Sequence, residues 1–196
     1  MLKTRNILIV GVGGQGTILA SRVLSTVLIK AGYDVKVSEI HGMAQRGGSV
    51  VTQVRYGKKV NSPIIPKGET DVLLAFEKLE ALRWLPYLKP DGVMLINDQK
   101  IDPLPVITGA AAYPDALKLI KEQRNNIIVI NALEIAQKAG NSKAVNVVLL
   151  GLLAQKLDLK PELWTEALEE TVPPRFLEVN LKAFAAGNKF SARNLK

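Results

Sequence analysis

The chain has 196 residues, of which 47% are hydrophobic, and it carries a net charge of +8 with no cysteine. This length and hydrophobic content suffice for one core, so we expect a single domain over residues 1–196. The lack of cysteine excludes disulfides, zinc–thiolate sites and any iron–sulfur cluster held by this chain alone. Basic residues are interspersed with acidic ones, and only 5% of residues are aromatic, so we expect no nucleic-acid partner.

Two features of the sequence bear on cellular location. The first six residues lead directly into an apolar run and show no secretion signal. The longest apolar run, 147–154, is too short to cross a bilayer and contains Gly151. We therefore expect a cytoplasmic protein that neither spans nor binds a membrane.

Apolar runs and helical periodicity alternate along the chain, which predicts an α/β fold. A strand at 6–10 is followed by a glycine-rich turn, a helix up to Gly32 and a second strand at 34–40. Alternating Val50, Thr52, Val54 and Tyr56 predict a half-buried antiparallel strand at 49–56. Mixed strand directions are therefore expected near the start of the chain.

The remaining chain continues this alternation. A strand at 72–76 precedes a helix at about 79–88, which we expect Pro90-Asp91-Gly92 to end before a strand at 93–97. The proline-containing segment 102–114 is interpreted as strand edge and loop, followed by a helix from about residue 115 and a strand at 127–130. Helices are then predicted at 132–138, 144–157, 161–170 and 177–186. The predicted architecture is a three-layer Rossmann-like domain with a mostly parallel, mixed sheet and helices on both faces.

The glycine-rich turn is the first candidate binding element. Gly11, Gly13 and Gly16 have the G-x-G-x-x-G spacing between a strand and a helix, where backbone amides can hold an anion; Gly14 and Gln15 complete the turn. A purely structural interpretation, in which the glycines permit a tight crossover, remains equally open. A dinucleotide site would also need an acidic residue ending the second strand, and Glu39 fits that requirement loosely.

The second candidate is the segment 41–49, which contains the only histidine of the chain. An imidazole and a guanidinium on a glycine-rich loop could bind a carboxylate or a phosphate. The candidate residues are His41, Gln45, Arg46, Gly47 and Gly48. The alternative is a surface loop with no ligand.

Other patterns support weaker interpretations. Asp91-Gly92 and Asn125-Asn126 resemble a magnesium–thiamine diphosphate motif, but Asp91-Gly92 also suits a helix-ending turn. Glu166, Glu169 and Glu170 are interpreted as a solvated helix face. We identify no catalytic residue or metal site in this chain alone.

Taken together, the motifs resemble one family, the gamma-type domain of 2-oxoacid:ferredoxin oxidoreductases, and within it the indolepyruvate oxidoreductase beta subunits. The resemblance covers nearly the whole chain. It is carried by the sequences at 11–16, 41–50, 76–83, 113–114, 146–149, 172–175, 178–180 and 183–184.

The resemblance implies a role in converting arylpyruvates to aryl-acetyl-CoA, with electrons passed to ferredoxin. It also implies that a large alpha subunit carries thiamine diphosphate, magnesium and the iron–sulfur clusters, while the 2-oxoacid and coenzyme A (CoA) bind in the complex. This chain has no cysteine, which agrees with the iron–sulfur clusters being bound by the other subunit. The alternatives are a gamma subunit acting on pyruvate, ketoisovalerate or 2-oxoglutarate, and a stand-alone dinucleotide-binding protein.

Overall fold

The structure is a computed structural model that describes residues 4–42 and 47–191. Within these residues one sheet has the strand order β2-β3-β1-β4-β5-β6. β3 runs antiparallel to both β1 and β2, whereas β1, β4, β5 and β6 pair in parallel. The prediction of a mostly parallel, mixed sheet is confirmed. The strands are Arg5–Val12 (β1), Asp34–His41 (β2), Ser49–Gly57 (β3), Thr70–Ala75 (β4), Leu88–Asn97 (β5) and Ile127–Ile130 (β6).

Side-chain caps or prolines mark the start of several α-helices among the described residues. The side chains of Glu77, Asp115 and Asn131 each accept a hydrogen bond from the N–H three residues later, and prolines occupy the first turns of two late helices. The helices are Thr17–Lys30 (α1), Lys78–Trp84 (α2), Leu104–Ile107 (α3), Ala116–Lys121 (α4), Ala132–Lys138 (α5), Val145–Ala154 (α6), Pro161–Thr171 (α7) and Pro174–Asn188 (α8).

Alternate residues of the central strands supply two separate cores. Ile7 and Ile9 of β1 point to the face covered by α1 and by α5 to α8. Leu8 and Val10 point to the opposite face, which packs against α2 and α4. Since successive side chains of a strand point to opposite faces of the sheet, one apolar run contributes side chains to both cores. The three-layer arrangement is confirmed.

The helix α6 is buried on nearly all sides because it lies between the sheet and α8. A Cβ added at Gly151 or Gly187 would collide with the backbone of the opposite helix, so the two helices touch backbone to backbone. Among the described residues, no helix combines the length and the apolar character needed to span a membrane. Glu166 and Glu170 pair with Lys30 on the surface, as expected of a solvated helix face.

Several predicted boundaries are wrong. The helix predicted at 144–157 already ends at Ala154, and the helix predicted at 177–186 begins at Pro174. The second helix ends at Trp84 and not at residue 88, because a 3₁₀ turn with Pro86 follows it. Pro90-Asp91-Gly92 does not end that helix: it lies within β5, where the register with β4 shifts. A Cβ at Gly92 would stand 2.8 Å from the Thr70 carbonyl oxygen, so the irregular pairing needs a glycine. The segment predicted to be a loop at 102–114 contains the short helix α3.

Candidate functional site

The candidate site lies at the carboxyl edge of the parallel strands. α1 follows β1 on one face of the sheet, and α2 follows β4 on the other. β1 and β4 are neighbours, so the direction of winding reverses between them. In open α/β sheets, ligands bind at this point of reversal. The glycine-rich turn, Gly11 to Gly16, starts from it.

The conformation of the turn depends on specific glycines. Gly14 has φ 101° and Gly16 has φ 81°, which are unfavourable for residues with a Cβ. A Cβ at Gly16 would also stand 2.7 Å from Nδ2 of Asn146 on α6, and one at Gly11 would stand 3.0 Å from Cβ of Phe76. Gly11, Gly14 and Gly16 are therefore required for the conformation of the turn. This structural role does not exclude a ligand at the edge of the turn.

Gln15 has a structural role that the sequence did not reveal. Its Oε1 accepts a hydrogen bond from Val12 N at 2.7 Å, and its Nε2 donates to Phe76 O and to Gln99 Oε1, both at 3.0 Å. Asn97 Nδ2 donates to the same two oxygens. These amides join the carboxyl ends of β1, β4 and β5. Gln15 therefore holds the turn in place, and its predicted contact with a ligand stays a prediction.

The two candidate elements meet in the structure. The β1–β3 ladder ends with Val12 opposite Ser49. Beyond it, Gly13 N donates to Gly48 O at 2.8 Å and Gly47 N donates to Gly13 O at 3.3 Å. The role of Gly13 is thus to pair its backbone with the second loop, while the positive φ angles belong to Gly14 and Gly16.

A cavity of about 710 Å³ lies between these elements. It is lined by the glycine-rich turn, by the start of α1 at Thr17 and Ile18, and by His41, Gly42 and Val50. His41 Nε2 lies 3.7 Å from Glu39 Oε2, while Glu39 Oε1 accepts a hydrogen bond from Ser21 at 2.6 Å. His41, the N-terminus of α1 and the glycine-rich turn thus border one space. This combination suits a ligand with an anionic group.

Gln45 and Arg46, the remaining members of the second candidate element, lie outside the described residues. Their predicted role in binding a carboxylate or a phosphate stays a prediction.

A second cavity, of about 580 Å³, opens on the other side of the same turn. Gly13 to Gly16 form one wall, and Gln99, Ile101, Lys143 and Asn146 are among the residues of the other walls. The glycine-rich turn therefore separates two recesses, one next to His41 and one next to Lys143.

Two buried carboxylates, Glu77 and Glu80, hold the segments next to the site in place. The sequence motifs did not identify this role. Glu77 accepts hydrogen bonds from Tyr113 OH and from Ile101 N, and it also caps α2. Glu80 accepts from Ser49 Oγ at the start of β3 and from Arg83 Nε at 3.1 Å. Burial, together with the hydrogen bond to Glu77, raises the pKa of the Tyr113 hydroxyl.

A sequence signal for both carboxylates does exist. Glu77 follows the apolar strand β4 directly and precedes a helix, which is where an N-cap is expected. Glu80 comes three residues later, at the position where an acidic residue often completes the cap.

The thiamine-motif interpretation does not fit the structure. Asp91 and Asn126 line a common cavity of about 310 Å³ together with Asp71, Arg5 and Lys156. Asp71 is already paired with Lys89 at 2.6 Å, and the two cations that line the cavity disfavour magnesium. This cavity is at the amino edge of the sheet, where β1 begins. No group of three or more metal-ligating side chains occurs among the described residues.

The dinucleotide interpretation also loses its support. In that fold the second strand lies beside the first, so that its acidic residue reaches the ribose. Here β3 lies between β1 and β2. Glu39 sits within β2, opposite Thr52, and bonds to Ser21 of α1. Glu39 is thus exposed on the edge strand, two strands away from β1, and its carboxylate is engaged by α1.

Comparison with known proteins places these features in one family. Residues 6–190 match the family described as pyruvate ferredoxin/flavodoxin oxidoreductase. The chain is 42% identical to indolepyruvate oxidoreductase subunit IorB of Thermococcus kodakarensis and 43% identical to that of Pyrococcus horikoshii, covering 96% of both chains in each comparison. It is 26% identical to ketoisovalerate oxidoreductase subunit VorA of Methanothermobacter marburgensis, over 96% of this chain but only 37% of the relative.

Solved structures show the same fold. The gamma subunit of a keto/oxoacid ferredoxin oxidoreductase from Geobacter sulfurreducens has a TM-score of 0.70 at 24% identity and covers 93% of this chain and 95% of its own. A 2-oxoglutarate:ferredoxin oxidoreductase from Magnetococcus marinus, solved with 2-oxoglutarate, coenzyme A and succinyl-CoA, has a TM-score of 0.71 at 19% identity. That match covers 95% of this chain and 30% of the enzyme chain. The chain described here belongs to the pyruvate ferredoxin/flavodoxin oxidoreductase family.

Proposed function

We propose that this chain is the beta, or gamma-type, subunit of a heteromeric indolepyruvate:ferredoxin oxidoreductase. In this complex it supports the oxidative decarboxylation of arylpyruvates to aryl-acetyl-CoA, with electrons passed to ferredoxin. The full-length relatives at 42–43% identity are indolepyruvate oxidoreductase subunits, whereas the ketoisovalerate relative reaches only 26%. Indolepyruvate is therefore favoured over the substrates of the more distant subunits.

One observation carries the proposal: the glycine-rich turn and the His41 loop are joined by backbone hydrogen bonds and border one cavity. The first turn of α1 contains no acidic residue, so its free N–H groups favour an anion. A carboxylate of the 2-oxoacid or a phosphate of CoA supplies that charge. In the complex, these elements close over the partner's active site, orient the substrate and exclude water.

The cofactors belong to the partner in this proposal. The chain has no thiolate for an iron–sulfur cluster, and Asp91 and Asn126 share their cavity with Arg5 and Lys156 at the opposite edge of the sheet. Thiamine diphosphate, when bound with magnesium in the large alpha subunit, supplies the electron sink for decarboxylation. This chain binds none of these groups by itself.

The test is reconstitution with the large subunit. We expect the isolated chain to be colourless and inactive, and the complex to reduce ferredoxin when indolepyruvate and CoA are both present. The values of kcat/KM for indolepyruvate, pyruvate, ketoisovalerate and 2-oxoglutarate then identify the substrate. A visible iron–sulfur band in the isolated chain, or preference for pyruvate by the complex, would contradict the proposal.

The alternative from another class is a stand-alone dinucleotide-binding protein. Calorimetric titration of the isolated chain with NAD and NADP distinguishes it from the proposed subunit. The position of Glu39 predicts no tight binding of either nucleotide.

A further inference from the structure

The segment 104–112, which we call the apolar projection, follows β5 and contains α3. Its sequence, Leu-Pro-Val-Ile-Thr-Gly-Ala-Ala-Ala, contains no charged residue. Leu104 is 71% exposed and Ile107 is 70% exposed, more than any other large hydrophobic residue of the described chain. Only Val106 is turned partly inward. Contiguous exposed apolar residues of this kind mark interaction sites in soluble proteins.

The projection is a built element and not a loosely held loop. Thr108 Oγ1 donates to Leu104 O at 3.0 Å, Gly109 N donates to Val106 O at 3.1 Å, and Ala111 N donates to Pro105 O at 3.0 Å. Gly109 has φ 76°, which permits the chain to reverse. Because its own backbone groups satisfy one another, the projection presents its side chains in a fixed geometry.

Both ends of the projection are fixed at the carboxyl edge of the sheet. At the first end, Ile101 N donates to the buried Glu77 at 3.1 Å. At the second, Tyr113 donates to the buried Glu77, and Lys100 lies 4.8 Å from the centre of the Tyr113 ring. Glu77 directly follows β4. The projection therefore stands on the same edge as the glycine-rich turn.

The size of the projection argues against pairing between two copies of this chain. Stable interfaces bury about 800 Å² on each partner, and nine residues supply only a fraction of that area. The projection is instead suited to be one anchor within a larger contact. In two members of the comparison, the region similar to this chain is only 37% and 30% of a longer polypeptide, so this domain there adjoins further protein.

We propose that the apolar projection inserts into an apolar recess of the large subunit and orients the glycine-rich turn over that subunit's active site. This inference rests on the proposed function, because it takes the large subunit as the partner. Leu104 and Ile107 are the anchors, and the rigid backbone keeps the cost of ordering them low.

The absence of native cysteine permits a direct test. Ile107→Cys and Ile29→Cys each give the chain a single thiol. Ile29 is the matched control, because it is 61% exposed and lies at the end of α1, away from the carboxyl edge. Each variant is labelled with a maleimide, alone and after assembly with the large subunit, and the rate is read from the mass of this chain.

We expect assembly to slow labelling at position 107 by at least about tenfold and to leave position 29 within about twofold. In addition, Leu104→Ser should raise the dissociation constant of the complex by about tenfold or more, as expected for the loss of one buried leucine, whereas Ile29→Ser should not change it. The melting temperatures of the isolated variants should stay within about 2 °C of the wild type, because these side chains are exposed.

The outcomes separate the two proposals. If the complex forms and is active while position 107 labels as fast as in the isolated chain, the docking inference is overturned and the proposed function stands. If the wild-type chain forms no complex with the large subunit, both are overturned. Concentration-dependent protection of position 107 in the isolated chain would show that a second copy is the partner, which also overturns the inference.

Discussion

Gly16 offers a quantitative test of how the turn is held. In the change Gly16→Ala, the positive φ of 81° costs about 1–2 kcal/mol, partly offset by about 0.4–1 kcal/mol from the lower entropy of the unfolded chain. The new Cβ would also stand 2.7 Å from Asn146 Nδ2, and overpacking of this kind costs about 1–3 kcal/mol. We expect a total loss of about 2–3 kcal/mol, or a decrease in melting temperature of about 4–12 °C for a chain of this size.

Gly14 provides the matched control. It has a φ of 101°, but no described atom lies within 4 Å of the position of a Cβ. Gly14→Ala should therefore lose only about 1 kcal/mol. The free energy of unfolding is measured by urea denaturation of both variants, of Asn146→Ala and of the double variant Gly16→Ala/Asn146→Ala. The double variant should recover about 1 kcal/mol of the unfolding free energy that the collision with Asn146 removes. Equal losses at both glycines, with no coupling to Asn146, would refute the close approach to α6 as the constraint on Gly16.

Three further predictions concern the loop and the carboxylates below it. Arg46→Ala should leave the melting temperature and assembly unchanged but lower kcat/KM of the complex by about tenfold or more. Arg46→Lys should recover part of that activity. Unchanged turnover in Arg46→Ala would mean that the loop only connects two strands. Ser49→Ala removes a hydrogen bond to the buried Glu80 carboxylate, so urea denaturation should show a loss of about 1.5–3 kcal/mol, and hydrogen exchange at 47–50 should accelerate. The pKa of Tyr113 is raised in the folded chain, so the stabilising contribution of its protonated hydroxyl is complete below the ordinary tyrosine pKa of about 10 and is lost above it. The free energy of unfolding of the wild type should therefore fall more steeply above that pH than that of Tyr113→Phe. Parallel pH profiles would disprove the raised pKa of Tyr113.

Much of the fold is visible in local sequence. The alternation at 49–56 predicts an antiparallel strand, and β3 is antiparallel to both of its neighbours. The prediction that this strand is half-buried is wrong: Val51 and Gln53 on the second face are buried too, because β3 lies inside the sheet between β1 and β2. The end of α2 was misplaced because the helical pattern continues through Leu85 and Leu88, although Pro86 begins a 3₁₀ turn there. The position of Pro90 to Gly92 within β5 depends on close contact with β4, which no local pattern contains.

The candidate site was less predictable because it depends on strand order. Gly13 and Gly48 are 35 positions apart, and they meet only because β3 pairs directly with β1. Gln15 was predicted to face a ligand, yet its amide bonds to the ends of three strands, an arrangement that requires the sheet to be assembled first. His41 lines a cavity, and its predicted contact with a ligand stays a prediction. Its pairing with Glu39 follows from their two-residue spacing on one face of β2.

The antiparallel direction of β3 also determines which connection of this chain can change in length. The connection from β2 to β3 is a hairpin between neighbouring strands, whereas α1 makes the crossover from β1 to β2. A hairpin tip can gain or lose residues without moving a helix, and doubling its length costs only about 0.6 kcal/mol of closure entropy. The number of residues between Gly42 and Gly47 can thus vary without moving α1 or either core, provided that Gly47 and Gly48 still pair with Gly13 beside the candidate cavity.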